Sequence, residues 1–183
     1  MSRIGRKEIL IPAGVSATVI GDKVTVTGPK ATLTQNVDSK LIVVKVENGH
    51  IVLTRTNEEN ETKAKHGLYR SLIANMVEGV HKDFSKTLII NGVGYKAQKV
   101  GKKLVLNLGL SHQIEVEEED GIKVECPSIT EIKISGPDKE KVGRFSAKIR
   151  TFRPVEPYHA YGIKYSDEVV IKKVGKTAAK GKK

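Results

Sequence analysis

Three loops in the second half of the sequence carry residue types that could contact a nucleic acid. The first two are Gly92-Val-Gly-Tyr-Lys96 and Gly109-Leu-Ser-His112, and the third runs from Pro154 to Tyr165. Glycine lets backbone amides approach a phosphate or ribose closely, and serine, histidine and tyrosine can donate hydrogen bonds to phosphates and 2′-hydroxyl groups. Each loop alone is more typical of a tight turn with incidental polar residues. Their occurrence together, in the more basic half of the chain, favours a nucleic-acid surface.

The segment before the third loop predicts an amphipathic helix over residues 138–152. At about 100° per residue, its apolar positions share one arc: Val142, Phe145, Ile149 and Phe152. Three cations occupy an adjoining arc and a fourth projects elsewhere: Lys141, Arg144 and Lys148, and then Arg150. The cationic arc could neutralise phosphates. An ordinary helix with a solvated charged face explains the same spacing equally well.

Two prolines predict that the third loop is an extended strap. The residues before Pro154 and Pro157 are pushed out of the helical conformation, so the helix must end before them. The strap and the residue preceding it carry aromatic and basic side chains: Arg153, Tyr158, His159, Tyr161, Lys164 and Tyr165. A strap of rings and cations after a cationic helix is typical of a nucleic-acid surface.

Two glycine motifs resemble nucleotide-binding loops, but their context argues against that function. Gly92–Ala97 has the Gly-x-Gly-x-x-Ala form of a dinucleotide fingerprint, which works only where a helix begins at the glycines. The residues that follow, 99–106, predict a turn and a strand instead. Gly175-Lys-Thr177 lacks the earlier glycine of a phosphate-binding loop, because Val170 stands in its place. We therefore expect no cofactor.

No cluster of residues predicts a metal site or an active site. The acidic run over 115–120 would place its carboxylates on opposite faces of a strand and then in a turn, without calcium-ligand spacing, so a solvated hairpin edge is expected. The five histidines lack metal-binding spacing, and the single cysteine, Cys126, excludes an internal disulfide. We expect no metal, no small-molecule substrate and no enzymatic activity.

The elements that must position these loops form two similar sets. In the first half, alternating apolar residues and turn signals indicate strands at 15–20, 23–27, 31–35, 41–46 and 50–55. A helix follows, with capping-box spacing between Thr56 and Glu59 and a predicted core stripe before Gly79. The stripe consists of Leu68, Leu72 and Met76. In the second half, strands are predicted at 87–91, 95–100, 103–108, 113–118, 122–125 and 131–135, before the helix of 138–152.

The order of these elements predicts an α+β fold made of two tandem repeats, each a small antiparallel sheet packed with one helix. Two short sequence matches support the duplication. Lys23–Val26 precedes the similar Lys103–Leu106 by 80 residues. Residues 66–73 precede residues 142–149 by 76, at corresponding places in the two predicted helices. The predicted domains are 1–82 with a basic N-terminal arm, 83–170, and a tail, 171–183.

The composition indicates a polyanionic partner. The 183 residues carry a net charge of +11, and the basic excess is uneven. Residues 1–80 hold 11 Lys/Arg and 8 Asp/Glu, whereas residues 81–183 hold 21 and 13. The last twelve residues contain six lysines and no acid, which predicts a tail that is disordered until it binds. The chain has neither a membrane-length apolar run nor a secretion signal, so a cytoplasmic protein is expected.

Motifs along nearly the whole chain are similar to those of the bacterial large-subunit ribosomal protein L six family. They include Ser2-Arg-Ile-Gly-Arg-Lys7, Val24-Thr-Val-Thr-Gly-Pro-Lys30 and Gly92-Val-Gly-Tyr-Lys-Ala97. The similarity is strongest in the stretch with Gly136-Pro-Asp-Lys, Val142-Gly, Ala147-Lys-Ile-Arg and Glu156-Pro-Tyr. The resemblance implies two tandem sheet-plus-helix domains without enzymatic activity. It also implies binding to 23S rRNA, chiefly through the second domain, near the stalk base and the factor-binding region.

The chain departs from the family pattern in the strap. The family's usual sequence is similar to Pro-Glu-Pro-Tyr-Lys-Gly-Lys-Gly-Ile-Arg-Tyr, whereas this chain has His159, Ala160 and Tyr161 in place of Lys-Gly-Lys. At His159 and Tyr161, which replace the two lysines, we therefore do not expect direct pairing with phosphate. Tyr161 could replace charge by stacking on a base, at about 1–3 kcal/mol.

The sequence thus predicts a structural rRNA-binding protein of the large ribosomal subunit that supports rRNA folding, assembly and translation, with 23S rRNA and neighbouring ribosomal proteins as partners. The candidate RNA-binding residues are Gly92, Gly94, Tyr95, Lys96, Ser111, His112, Lys141, Arg144, Lys148, Arg150, Arg153, Tyr158, Lys164 and Tyr165. Two other classes compete with this prediction. A nucleotide-dependent enzyme requires a helix at Gly92, and a membrane-surface adaptor would use the lysine tail and the basic helix; we expect no membrane partner.

Overall fold

The computed structural model of the chain describes residues 3–176, which form two compact units. The first unit contains the residues up to Phe84 together with Gly136–Lys141. The second contains Ser85–Ser135 and the residues from Val142 onward.

The first unit consists of two three-stranded antiparallel sheets and one long helix. Its elements are β1 (Ile9–Leu10), β2 (Ser16–Ile20), β3 (Lys23–Thr27), β4 (Thr32–Asn36), β5 (Ile42–Glu47), β6 (His50–Arg55) and α1 (Asn60–His81). One sheet has the order β2-β3-β4 and the other β1-β6-β5. Val24 and Val26 in β3 are buried while their neighbours are not, as the alternation predicts.

The second unit repeats this arrangement and adds one strand. Its elements are β7 (Phe84–Asn91), β8 (Lys96–Val100), β9 (Lys103–Asn107), β10 (Ile114–Glu117), β11 (Lys123–Ser128), β12 (Glu131–Gly136), α2 (Lys139–Thr151) and β13 (Gly162–Tyr165). The sheet β10-β9-β8 corresponds to β4-β3-β2, and β11-β12-β7 corresponds to β5-β6-β1. Strand β13 pairs with β7 from Gly162 opposite Asn91 to Tyr165 opposite Leu88.

Both sequence matches occupy corresponding places in the two repeats. Lys23 and Lys103 each open the middle strand of a three-stranded sheet, opposite Ile20 and Val100. In the helices, Ile73 and Ile149 are both fully buried. The predicted α+β fold with two tandem repeats is confirmed.

The start and the core face of α1 differ from the prediction. Thr56 does not cap the helix, because its hydroxyl donates to the carbonyls of Lys40 and Leu41, and α1 begins only at Asn60. The helix continues through Gly79. Its buried face includes Ile73, Val77 and Val80, whereas Leu68 is 54% exposed, so the predicted stripe was wrong at Leu68.

Part of the predicted basic arm is held to the first unit by backbone pairing and by Arg70. Ile9 and Leu10 of the predicted basic arm pair with β6, and Arg70 donates to the carbonyls of Lys7 and Glu8. Residues 171–176 of the predicted tail are exposed and without regular secondary structure, although the Lys173 amide donates to the Pro157 carbonyl. Residues 177–183 of that tail lie outside the described residues.

Candidate nucleic-acid interface

The ring of Tyr95 joins three loops at one end of the second unit. A Cβ atom on Gly92 would lie 2.4 Å from the Tyr95 ring, and one on Gly109 would lie 2.8 Å from it, so both positions require glycine. The Tyr95 hydroxyl accepts a hydrogen bond of 3.2 Å from Nε of Arg153. We call the segments 92–96, 109–112 and 153–161 the loop cluster. The structure thus brings all three predicted loops into one place.

The third segment of the loop cluster is a closed loop, not the extended strap predicted from its prolines. Its ends meet where Pro154 bridges Ile163 and where the Ile163 amide donates to the Arg153 carbonyl. Gly162 lies at this closure with φ 134°, and a Cβ atom there would lie 2.6 Å from the Pro154 carbonyl oxygen. The prolines end the helix as expected, but hydrogen bonds across the loop turn the chain back on itself.

Glu156 organises the interior of this closed loop. Its carboxylate accepts hydrogen bonds from the amides of Tyr158 (3.1 Å) and His159 (2.7 Å), and its own amide donates to the Tyr161 carbonyl. Desolvation acts to raise the pKa of Glu156, but the amide hydrogen bonds outweigh it and lower the pKa below its ordinary value. The carboxylate therefore stays ionised and is committed to holding the loop.

The side chains of His159 and Tyr161 stack on each other. Their ring centroids are 5.5 Å apart with 18° between the planes. They border a groove of about 420 Å³ that Tyr95, Arg153, Pro154 and Glu156 also line. Neither ring residue belongs to the predicted RNA-binding set. The sequence marked them only as aromatic and basic residues of the strap and as a departure from the Lys-Gly-Lys pattern.

The cationic stripe of α2 is only partly free of protein partners. Arg144 and Lys148 are largely exposed, with Glu119 at 3.7 and 3.8 Å from their nitrogens. Lys141, in contrast, is half-buried and belongs to the segment grouped with the first unit. Exposed ion pairs at such distances contribute little to stability, so Arg144 and Lys148 remain available to a polyanion.

Arg150 and Tyr165 form a separate cluster with Glu168. Two nitrogens of the Arg150 guanidinium donate to the Glu168 carboxylate at 3.1 and 2.6 Å, and the Tyr165 amide donates to it at 3.1 Å. Hydrogen bonding to Arg150 is the largest effect that lowers the pKa of Glu168. The Tyr165 ring lies 5.6 Å from the Arg150 guanidinium and 5.5 Å from Nζ of Lys86. These contacts tie Arg150 to its own chain.

The remaining predicted residues lie in or beside the loop cluster. Lys96, Ser111, His112 and Tyr158 are exposed, Gly94 has a φ of 77° in the first loop, and Lys164 is half-buried in β13. Among the described residues, no hydrogen bond, ion pair or ring contact joins the α2 cations to the loop cluster. The predicted set therefore falls into separate surface groups.

The acidic run is a largely solvated edge, as its pattern predicted, except at Glu118. Glu118 is only 15% exposed, and its carboxylate accepts hydrogen bonds of 2.7 Å from both Lys99 and the Val124 amide. Glu115 and Glu117 pair with Lys103 at the surface. The alternation of faces along the strand was predicted correctly. The mostly buried carboxylate of Glu118, however, links strands through its two hydrogen-bond donors.

The nucleotide-binding alternative finds no support in the first loop. After Gly92 and Gly94 the chain continues as strand β8, so the helix that a dinucleotide fingerprint requires is replaced by a strand. In the described part of the chain, no His, Cys, Asp and Glu side chains group in a way that could hold a metal ion. Within residues 3–176 there is also no helix long and apolar enough to cross a membrane.

Comparisons with known proteins match the whole chain. The family model for ribosomal protein L6 matches residues 11–83 and 91–166, one match in each repeat. The large ribosomal subunit protein uL6 of Caldicellulosiruptor bescii is 52% identical over 183 residues, covering 100% of both chains. The uL6 protein of Exiguobacterium sibiricum is 53% identical over 177 residues, covering 97% of this chain and 99% of its own. That of Clostridioides difficile is 51% identical over 181 residues, covering 98% and 100%.

The tandem α+β repeats and the full-length similarity define a structural protein of the ribosome. The chain belongs to the ribosomal protein L6 family. It is accordingly a non-enzymatic protein of the large subunit in the cytoplasmic ribosome of bacteria, as the sequence motifs predicted.

Proposed function

We propose that this chain binds 23S rRNA chiefly through its second unit, near the stalk base and the factor-binding region, and thereby supports rRNA folding, subunit assembly and translation. The observation that carries this proposal is the loop cluster. Tyr95, Gly92 and Gly109 fix three loops together in the more basic half of an L6-family chain. A surface fixed before binding loses little conformational entropy when it meets a folded RNA.

The mechanism is neutralisation of phosphates combined with recognition of RNA shape. Lys96 and Arg153 in the loop cluster, and Arg144 and Lys148 on α2, are exposed cations that can reach phosphate oxygens. RNA helices hide their base edges in a narrow major groove, so contacts to the backbone should outweigh base reading. Ser111 and His112 can donate hydrogen bonds to phosphate or 2′-hydroxyl groups from the second loop.

Each part of the chain has a role in this proposal. Residues 83–170 form the main RNA-binding domain, and residues 1–82 brace neighbouring ribosomal proteins or RNA more weakly. Residues 171–183 add a lysine-rich tail that binds a polyanion. Arg150 and Tyr165 contribute mainly by keeping the end of β13 in place, because Glu168 already engages them.

The salt dependence of binding tests the placement of the RNA surface. The affinity of the full chain for 23S rRNA should fall steeply as the KCl concentration rises, because each phosphate contact releases counterions. The triple variant Lys96→Ala, Arg144→Ala, Lys148→Ala should reduce the log–log slope by about 2–3. Filter binding over a range of KCl concentrations measures both quantities.

A matched control separates this placement from a general charge effect. The triple variant Lys23→Ala, Lys40→Ala, Lys45→Ala removes the same charge from exposed positions of the first unit. It should leave the slope nearly unchanged. Equal losses in the two triple variants would contradict a surface in the second unit, and crosslinks in intact cells to RNA far from the stalk base would contradict the location.

A further inference from the structure

The groove beside His159 and Tyr161 has the properties of a binding site for a single base. We propose that it receives one unpaired nucleobase of RNA, stacked against the His159–Tyr161 ring pair. The proposal rests on the proposed function, since it specifies a ligand for the same loop cluster. It concerns His159 and Tyr161, the two ring residues that line the groove together with Tyr95.

The rings present an accessible aromatic face. His159 and Tyr161 are two residues apart, and the left-handed conformation of Ala160 between them, at φ 63°, accompanies their nearly parallel stack. Tyr161 is 41% exposed, and the His159 side chain is 72% exposed. A base can therefore extend the stack on a face that the pair leaves open. Stacking of bases on aromatic side chains is a general means of binding unpaired nucleotides.

The ring pair is held in place before any ligand arrives. The Ala160 carbonyl accepts a hydrogen bond of 2.8 Å from the Asn91 side chain, and the Tyr161 carbonyl accepts one from the Glu156 amide. The Glu156 carboxylate fixes the His159 amide and lies 3.2 Å from Nδ1 of the His159 ring. Binding a base therefore costs little ordering of the loop.

The charges of the groove favour a neutral aromatic ligand over an isolated phosphate. Its lining contains one cation, Arg153, and one carboxylate, Glu156, so an anion inside it would meet repulsion as well as attraction. Arg153 gives only its Nε to Tyr95 among the described residues. Its terminal nitrogens can therefore bind the phosphate attached to a base that occupies the groove. The volume of about 420 Å³ lies within the range of small-molecule pockets.

Oligonucleotides with and without bases test this proposal. The full chain is titrated with hexa-adenylate RNA and with a ribose-phosphate hexamer of equal charge that lacks bases, and tyrosine fluorescence reports binding. We expect the base-bearing oligomer to bind about fivefold or more tightly. Equal affinities would overturn the base site. Loss of binding to 23S rRNA itself would instead overturn the proposed function, so the two failures are distinguishable.

Variants at position 161 separate stacking from charge and from folding. Tyr161→Ala should abolish the preference for the base-bearing oligomer, and Tyr161→Phe should keep it because the ring remains. Tyr161→Lys should lose the preference while the log–log salt slope for 23S rRNA rises by about one. A preference that survives in Tyr161→Ala would contradict the proposal. Adenosine monophosphate that binds as tightly as the hexamer would contradict the assignment to RNA.

Crosslinking in the assembled subunit distinguishes RNA from a protein partner. With the photoreactive residue p-benzoylphenylalanine in place of Tyr161, irradiated large subunits should yield adducts between this chain and RNA. Adducts with another ribosomal protein alone would show that the groove receives a protein side chain, and would overturn the proposal.

Discussion

The two repeats share a topology, but their helices meet their sheets in chemically different ways. At corresponding positions, α1 has His66, Tyr69 and Ile73 where α2 has Val142, Phe145 and Ile149. The histidine is 3% exposed, and its Nε2 donates to the Leu53 carbonyl. Within the described residues, His66 Nδ1 and the Thr62 hydroxyl have no hydrogen-bond partner. Burying these polar atoms without partners lowers the stability of the first repeat, whereas the matching apolar positions of the second repeat avoid that loss.

This difference in the buried faces accompanies a difference in the segments that the two helices support. The first helix anchors the N-terminal segment, because Gly5 lies directly against the His66 ring and Arg70 binds the carbonyls that follow. The second helix leads into the loop cluster and rests on a largely apolar face, in which the hydroxyl of the buried Ser146 donates to the Gly143 carbonyl. An apolar, close-packed base gives that loop a rigid support. The helix of the first repeat thus anchors the N-terminal segment, and the helix of the second leads into the loop cluster.

The largest expected effect concerns the paired aromatic positions. Phe145→Ala removes a side chain with no exposed area and should lower the free energy of unfolding of the second unit by about 3–5 kcal/mol. Tyr69→Ala, at the matching but partly buried position, should cost clearly less. Urea unfolding followed by circular dichroism measures both. Equal losses would show that the two helix faces are equivalent after all.

The second prediction tests the strand that only the second repeat has. Gly162→Ala places a methyl group against the Pro154 carbonyl and forces alanine to a φ of 134°, so we expect a loss on the order of 2–3 kcal/mol. The same change at Gly143 in α2, where a Cβ atom meets no neighbour, serves as control. Gly143→Ala should be neutral or stabilising because alanine favours helix. If Gly162→Ala left the free energy of unfolding unchanged, β13 would accommodate the added methyl group without strain.

The third prediction compares the carboxylates that follow the corresponding sheets β2-β3-β4 and β10-β9-β8. Glu118 in the second repeat is mostly buried against Lys99 and the Val124 amide, whereas Asp38 in the first makes a looser pair with Lys65. Desolvation raises the pKa of Glu118, but its hydrogen bonds outweigh that effect and lower the pKa below 4.5. Its contribution to stability is therefore present above about pH 4.5 and lost as the pH falls through the lowered value.

Glu118→Gln should accordingly lower the free energy of unfolding at pH 7 by about 1–2 kcal/mol and reduce the loss of stability on acidification below pH 4.5. Asp38→Asn should change both quantities much less. Urea titrations at pH 7 and pH 3.5 provide the measurement. A larger effect from Asp38→Asn would reverse the comparison.

The strands were largely predictable because their period and turns are local properties. The order of strands and helices also predicted the repeats. The error at Leu68 arose because three leucine and methionine residues four apart suggest a core stripe. The duplication itself contained the correction, since Leu68 corresponds to Arg144, an exposed position on α2. Comparing the helices position by position would have removed the error.

The grouping of the site residues was less accessible, because it depends on contacts between distant segments. Nothing local to Tyr95 indicates that Arg153, 58 positions away, donates to its hydroxyl. Likewise, Glu168 lies outside every motif and yet engages Arg150. Residue types and charge favoured one surface for RNA, and that assignment stays a prediction. The partners of the cations on that surface could be identified only from the folded structure.

The smallest expected effect concerns two non-glycine residues with positive φ, one in each repeat, which are the two found between residues 3 and 176. Asparagine is among the residue types that adopt this left-handed conformation readily, as Asn48 does at φ 50°, whereas alanine is strained in it, as Ala160 is at φ 63°. Ala160→Gly should therefore raise the free energy of unfolding by about 0.5–1 kcal/mol, after the greater entropy of glycine in the unfolded chain is subtracted. Asn48→Gly should be nearly neutral.

Thermal unfolding resolves this difference, because about 1 kcal/mol corresponds to about 2–4 °C in Tm for a chain of this size. A lower Tm for Ala160→Gly would show that burial of the Ala160 methyl group, which is 8% exposed, outweighs the backbone strain. A higher Tm together with a weaker preference for base-bearing RNA would show that this chain gives up stability to keep His159 and Tyr161 stacked.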